Sequence, residues 1–325
     1  MSNYKKIEIT LEDLFTNSFR FLVETQFKIK LFDTAVERGG LIKNLAKELK
    51  CCRDTVRNMK TGRTKLIRWQ IVKKLIEIAR VPVKNLESHI IAISGGKSGK
   101  KTRLKLPIKE SPELALLVAK GMGDGTIETK KMRFSYCNTE PALIKEVCES
   151  VNIAMGETRA TITKLKDGLI QAKFSPFVGF ALHFAGVPIG NKTLQSFDVP
   201  NWIVKNKDKK IKAAFLRGLF DDEGCVNYHK KSRTRRIVLA LGKSREYEKS
   251  LFNFLDEICS ILKEFEISVG DITLQEEYNG GCAKMMLRFG IYNKENIEKF
   301  GQKIGLTHPG KRQSLSIISD SYKNY

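Results

Sequence analysis

Residues 117–125, L117-V-A-K-G-M-G-D-G125, and residues 216–224, L216-R-G-L-F-D-D-E-G224, share one plan: an apolar helix that stops at an acid followed by glycine. Ser111 and Pro112 announce the first helix, with serine at the N-cap and proline in the first turn. Small residues stand four apart in both helices: Ala115, Ala119 and Gly123, then Ala214 and Gly218. No bulky side chain then holds the two backbones apart, so the helices can pack closely. Close packing puts Asp124 and Glu223 side by side at the C-terminal ends of a helix pair. Each carboxylate there meets its neighbour and the negative end of a helix dipole. A divalent cation resolves that conflict, and hard carboxylate oxygens suit Mg²⁺.

The surroundings of the two motifs also repeat. After the first come strand-like TIET and MRFSYC, a helix TEPALIKEVCESV, a hairpin turning at Asp167-Gly168, and a helix PFVGFALHFA. After the second come CVNYH and RRIVLALG, a helix REYEKSLFNFLDEICSILKEF, a hairpin turning at Asn279-Gly280-Gly281, and a helix KENIEKFGQKI. Both passes read helix, two strands, helix, two strands, helix. The fold class expected is α+β: a duplicated unit with antiparallel sheets, its halves covering 111–206 and 207–325.

Composition narrows the partner. The chain has 325 residues, with 58 Lys and Arg against 36 Asp and Glu, a net charge of 58 − 36 = +22. That balance asks for a polyanion, because basic side chains release counterions condensed on phosphates. No stretch of about 18 apolar residues is present, which excludes a spanning helix. The N-terminal MSNYKKIEITLEDLF has no apolar signal core, and seven cysteines do not read as a disulfide framework. The expectation is a cytoplasmic, DNA-binding protein with reduced thiols. In such a protein, paired carboxylates with Mg²⁺ point to phosphodiester hydrolysis.

The two segments resemble the paired dodecapeptide motifs of the LAGLIDADG homing endonucleases, in the single-chain form with two motifs. The resemblance covers about residues 111–325. It implies a pseudo-twofold pair of αββαββα units whose antiparallel sheets form a saddle over the DNA major groove. It also implies that the last acid of each motif, Asp124 and Glu223, binds metal at the scissile phosphates. Family members tend to carry a basic residue after the last helix of each half. The matching stretches, A185-G-V-P-I-G-N-K192 and I304-G-L-T-H-P-G-K311, make Lys192 and Lys311 candidate catalytic residues that polarise water or stabilise developing charge. Three positions depart from the pattern: Ala119 replaces a glycine, Met122 stands where an acid is frequent, and Asp222 stands where a small residue is frequent. Asp222 either widens the helix crossing or adds a third acid near the metals.

Basic residues on the sheets are the candidate DNA contacts: Lys130, Lys131, Arg133 and Lys173 in the first half; His229, Lys230, Lys231, Arg233, Arg235 and Lys284 in the second. The N-terminal third adds a second resemblance. Residues 26–93 read as all helix, and L45-A-K-E-L-K-C-C-R-D-T-V-R-N-M-K-T-G-R63 is similar to the helix-turn-helix of phage-repressor-type domains. That similarity implies a recognition helix showing Arg53, Asp54, Arg57 and Asn58 to base edges, with Lys50 at a turn position where glycine is usual. Residues 1–25 are expected to hold a short amphipathic helix, capped by the Thr10-x-x-Asp13 pattern. Residues 94–110, rich in Gly, Ser and Lys, read as a basic linker.

Taken together, the expectation is a free-standing, monomeric, Mg²⁺-dependent endonuclease. It would break double-stranded DNA at a long recognition site, with no small-molecule cofactor and no membrane partner. The resemblance implies intron homing. Neither terminus has intein splice-junction residues. The alternative is a transcriptional regulator that keeps the fold and has lost catalysis.

Overall fold

The computed structural model describes residues 6–14, 19–95, 101–156, 158–229, 234–280 and 282–322, with side chains throughout except at 275–280 and 282–284. The chain forms two compact units. One comprises residues 8–109 and 152–159; the other comprises 1–7, 110–151 and 160–325. Among the described residues no helix is long and apolar enough to cross a membrane.

The smaller unit runs β1 (Glu8–Ile9), β2 (Arg20–Val23), α1 (Thr25–Gly39), α2 (Ile42–Glu48), α3 (Arg53–Thr61), β3 (Ile67–Arg68), α4 (Trp69–Ala79), α5 (Val83–Glu87), β4 (Ile90–Ser94) and β5 (Ile108–Lys109). It corrects three expectations. Among the described residues 6–14 and 19–24 there is no helix. Instead the Thr10 backbone N–H and hydroxyl both donate to Asp13 Oδ2 at 2.8 Å and close a single turn. The stretch after it alternates buried and half-buried, with Phe21 and Val23 inward, so a period of two wins over 3.6. Nor is 26–93 all helix: β3, β2 and β4 form a three-stranded antiparallel sheet beside the helices. The expected linker is partly structured too, since Thr102 bridges Ile93 and β5 pairs with β1. Lys97 and Lys100 of that stretch lie outside the described residues.

Between α2 and α3 the chain turns tightly. Lys50 takes a left-handed conformation at φ 50°, and the Cys51 N–H donates to the Ala46 carbonyl at 3.0 Å. Leu45, Ala46, Leu49, Val56 and Met59 are buried, which leaves Arg53, Asp54 and Arg57 exposed on α3. Gly62, at φ 87°, ends that helix.

The larger unit begins with α6 (Pro112–Met122), where Ser111 Oγ accepts the Leu114 N–H as the sequence predicts. It continues through β6 (Gly125–Ile127), β7 (Phe134–Asn138), α7 (Pro141–Met155), β8 (Thr161–Lys164), β9 (Ile170–Lys173) and α8 (Pro176–Phe184). A short α9 (Asn201–Val204) leads to the second half. That half is α10 (Lys209–Glu223), β10 (Gly224–His229), β11 (Thr234–Ser244), α11 (Glu248–Glu264), β12 (Thr273–Gly280), β13 (Cys282–Ile291) and α12 (Lys294–Lys303). A further helix, α13 (Pro309–Ser321), closes the chain. The sheet orders are β6-β7-β9-β8 and β10-β11-β13-β12, antiparallel throughout, so the two halves share one topology.

The two motif helices, α6 and α10, pack against each other. Leu114 to Met122 form an unbroken buried run in α6, which explains why that helix has no polar face. A Cβ built at Gly218 would sit 2.9 Å from the Ala119 Cβ and 3.1 Å from the Leu116 carbonyl, inside normal contact. We expect Gly218→Val to destabilise the chain by about 1–3 kcal/mol, the usual range for overpacking a filled interface. Urea unfolding reads this directly; an unchanged midpoint would contradict the close packing.

Candidate metal centre and nucleic-acid surface

Where the two motif helices end, their acids meet. Asp124 follows directly on the α6 C-cap, and its backbone N–H donates to Asp222 Oδ2 of the other half at 3.1 Å. Its side chain is exposed, and Oδ2 accepts from Asn138 Nδ2 at 2.8 Å. Glu223, the last residue of α10, is half-buried, and its carboxylate has no hydrogen-bond or ion-pair partner among the described residues. Desolvation, then repulsion from Asp124, pushes the Glu223 carboxyl up to about 7. Desolvation and then Asp222 raise Asp124 above its ordinary range. Two raised carboxyls, one without a partner, form a hard-oxygen donor set that fits a divalent cation. Among the described residues no third ligating side chain joins a cluster, so protein donors alone do not fill a coordination sphere.

Lys192 and Lys311 lie at the same place, each held on peptide carbonyls. The Lys192 ammonium donates to the carbonyls of Gly121 (3.3 Å), Gly123 and Gly125 (2.7 Å). The Lys311 ammonium donates to those of Phe220 (3.2 Å), Asp221 and Asp222 (3.2 Å). Each thus caps the C-terminal end of the motif helix in its own half, where orphan carbonyls and the dipole favour a cation. Burial lowers both ammonium pKa values, while the neighbouring acids, Glu223 and Asp124 for Lys192 and Asp221 and Asp222 for Lys311, work against it. Neither is an ordinary surface phosphate contact in this arrangement.

Three further residues belong to the site without a motif of their own in the sequence. Lys120, with no exposed side-chain surface, pairs with Asp222 Oδ1 at 2.8 Å, with Asp221 Oδ2 at 3.9 Å and with Glu146 Oε2 at 4.0 Å. Removing one partner of such a buried pair costs about 3–5 kcal/mol. Tyr136 Oη donates to the same Asp222 Oδ1 at 2.7 Å, and desolvation with the nearby Asp222 drives its phenol far upward. Asn138 is the third, through its bond to Asp124. One signal was available: a single lysine inside an otherwise apolar run must find a buried anion. Tyr136 and Asn138 gave none, since their partners come from strand register. Asp222, accepting from Lys120, Tyr136 and the Asp124 amide, is engaged within the fold and is not a free third acid.

The basic side chains divide. Lys130 and Lys131 are exposed between β6 and β7, and Arg133 is half-buried. Lys173 pairs with Glu128 at 2.7 Å. His229 is exposed at the end of β10. Arg235 is committed internally: Nε donates to Ser321 Oγ at 2.7 Å, and the guanidinium lies against the Tyr228 and Tyr322 rings. Lys230, Lys231 and Arg233 lie outside the described residues, and so does the side chain of Lys284. In the smaller unit, Arg53 is exposed, Arg57 pairs with Asp54 at 3.6 Å, and Asn58 is half-buried. Trp69 and Trp202 are buried packing residues, with Trp202 Nε1 donating to the Ala185 carbonyl at 2.9 Å.

Residues 210–305, within the second half, match the family profile described as a LAGLIDADG-like domain. Among curated proteins, a tRNA-splicing ligase RtcB of Methanocaldococcus jannaschii is 30% identical over 157 residues, 48% of this chain and 16% of that protein. The Replication factor C small subunit of the same organism is 38% identical over 86 residues, 26% of this chain and 5% of that protein. The chain therefore spans under a fifth of either relative. Among solved structures, full-length DUF199/WhiA from Thermatoga maritima has a TM-score of 0.42 at 15% identity, covering 66% of this chain and 61% of that one. Variants of the homing endonuclease I-DmoI have a TM-score of 0.39 at 15% identity, covering 60% of this chain and 95% of that one.

The raised acid gives a pH test. Glu223 titrates near 4.5 when unfolded and about 7 when folded, so between these values the folded state binds more protons. Metal-free stability contributed by this group is therefore lost as pH rises through that window. Relative to Glu223→Gln, the wild-type melting temperature should fall between about pH 4.5 and 7, and added Mg²⁺ should recover more of it at the upper pH. Parallel melting curves for the two proteins would contradict the unpartnered carboxylate.

Proposed function

We propose that the chain is a metal-dependent, site-specific DNA endonuclease of the homing type, breaking both strands of a long target. One observation carries this reading: Asp124 and Glu223, one from each half, stand at the C-terminal ends of two closely packed helices, near enough that Asp124 helps raise Glu223. Asp124 and Glu223 would hold Mg²⁺ jointly with phosphate oxygens of the DNA. Bound there, the cation supplies Lewis-acid activation of water and stabilises the leaving oxygen. Lys192 and Lys311 keep the helix ends neutral and fix the carbonyl rim around the acids. Lys130, Lys131 and His229 are exposed and available to phosphates, and the net charge of +22 favours that encounter. The saddle over the major groove, a single-chain monomer with an internal pseudo-twofold axis, and action inside the cell complete the proposal. The helix, turn and helix of α2 and α3 support a helix-turn-helix role in which Arg53, Asp54, Arg57 and Asn58 extend the target. In the two relatives named above the shared stretch is only 16% and 5% of the protein, which supports a transferable module rather than ligase or replication chemistry.

A second reading, a regulator that binds DNA without cutting, is favoured by one feature: both lysines are turned onto peptide carbonyls rather than held free. A randomised plasmid pool separates the two. The endonuclease gives linear product with Mg²⁺ and none with EDTA, and Asp124→Asn or Glu223→Gln abolishes it. Sequence-selective retention of plasmid without any cutting would establish the regulator instead.

A further inference from the structure

The two acids are not held alike. Glu223 is the last residue of its helix, whereas Asp124 lies one residue past the α6 C-cap, where the helix ladder has already ended at the Gly123 N–H to Ala119 carbonyl bond. The Asp124 N–H is bound instead by Asp222 Oδ2, across the helix pair, at 3.1 Å. Asp222 is itself fixed through Oδ1, by the Lys120 ammonium at 2.8 Å and the Tyr136 hydroxyl at 2.7 Å. Its side chain has no exposed surface. The residue in the corresponding place before Asp124 is Gly123, which has no side chain to return the favour. A Cβ at Gly123 would stand 2.6 Å from Asp222 Oδ2, so the glycine is what admits the carboxylate.

We propose that Asp222, clamped by Lys120 and Tyr136, is a positioning residue that sets the place of Asp124 through its backbone amide, and that Glu223 has no equivalent clamp. Asp222 touches no reacting atom in this role. Its carboxylate accepts from Lys120, Tyr136 and the Asp124 amide, so it serves the metal ligand rather than adding to the ligands. The two half-sites are therefore inequivalent, and loss of the clamp slows the strand served by Asp124 more than the strand served by Glu223. This last consequence rests on the nuclease reading; the clamp does not.

Hydrogen–deuterium exchange on the full chain tests the clamp without metal or DNA. The variants are Asp222→Asn, Tyr136→Phe and the charge swap Lys120→Asp with Asp222→Lys. The swap restores an ion pair across the helices but leaves no acceptor for the Asp124 amide. Its peptide covering 121–126 should exchange about tenfold faster, with the peptide covering 212–220 unchanged. Tyr136→Phe keeps the ion pair and should fall between, which preserves the test if the swap does not fold. Acceleration of both peptides in step, or of neither, overturns the proposal. On a plasmid carrying a selected site, Asp222→Asn should raise the ratio of open-circle to linear product about fivefold, since a misplaced ligand slows one cut. A variant that slows both products equally overturns the inequivalence. A wild-type chain that cuts no plasmid refutes the nuclease reading, while the exchange result still decides the clamp.

Discussion

The close approach of α6 and α10 is the constraint on which the rest of the larger unit depends. Ala119 and Gly218 face each other where a single added carbon would clash, so the backbones are as near as side chains allow. That contact brings the C-terminal ends of both helices, and hence Asp124 and Glu223, to one place. It also forces several carboxylates together, because Asp221, Asp222 and Glu146 belong to the same cluster. The fold answers with cations of its own. Lys120 sits among three of the acids, Lys192 and Lys311 sit on the carbonyls at the helix ends, and Arg217 reaches Glu146 at 3.7 Å. What this internal neutralisation leaves over is Glu223, without a partner and raised to about 7.

This division of charge separates structure from chemistry. Asp221 is buried and accepts the backbone N–H groups of Thr307 (2.9 Å) and His308 (2.8 Å), so it ties α10 to the segment before α13. Asp222 ties the two halves to each other. Only the last acid of each motif keeps a carboxylate edge for something external. A duplicated fold needs no symmetry in how its copies are supported, and here the support differs between the halves while the topology does not.

Much of this was legible in residues alone. The order of elements in both halves followed from hydrophobic period and turn residues. The Asp167-Gly168 turn falls in a short 3-10 segment with both residues at positive φ, and β12 ends at Gly280 before β13 begins at Cys282. The small-residue stripe foretold the helix contact because backbone approach depends on local side-chain volume. The N-terminal region was less legible. Arg20–Val23 is only four residues long and pairs with strands far along the chain, so a helical period read over a longer window obscured it. The roles of Lys192 and Lys311 were hidden for another reason: a lysine's long stem can reach either solvent or carbonyl, and sequence spacing does not distinguish them.

The central claim is that the helix ends hold a divalent cation between acids from both halves. Anomalous scattering from Mn²⁺ in crystals of the chain bound to its selected duplex reads this most directly. The account predicts a peak bridged by the carboxylates of Asp124 and Glu223 and touching a backbone phosphate. Ordered duplex across the larger unit with no peak at those two side chains would contradict it.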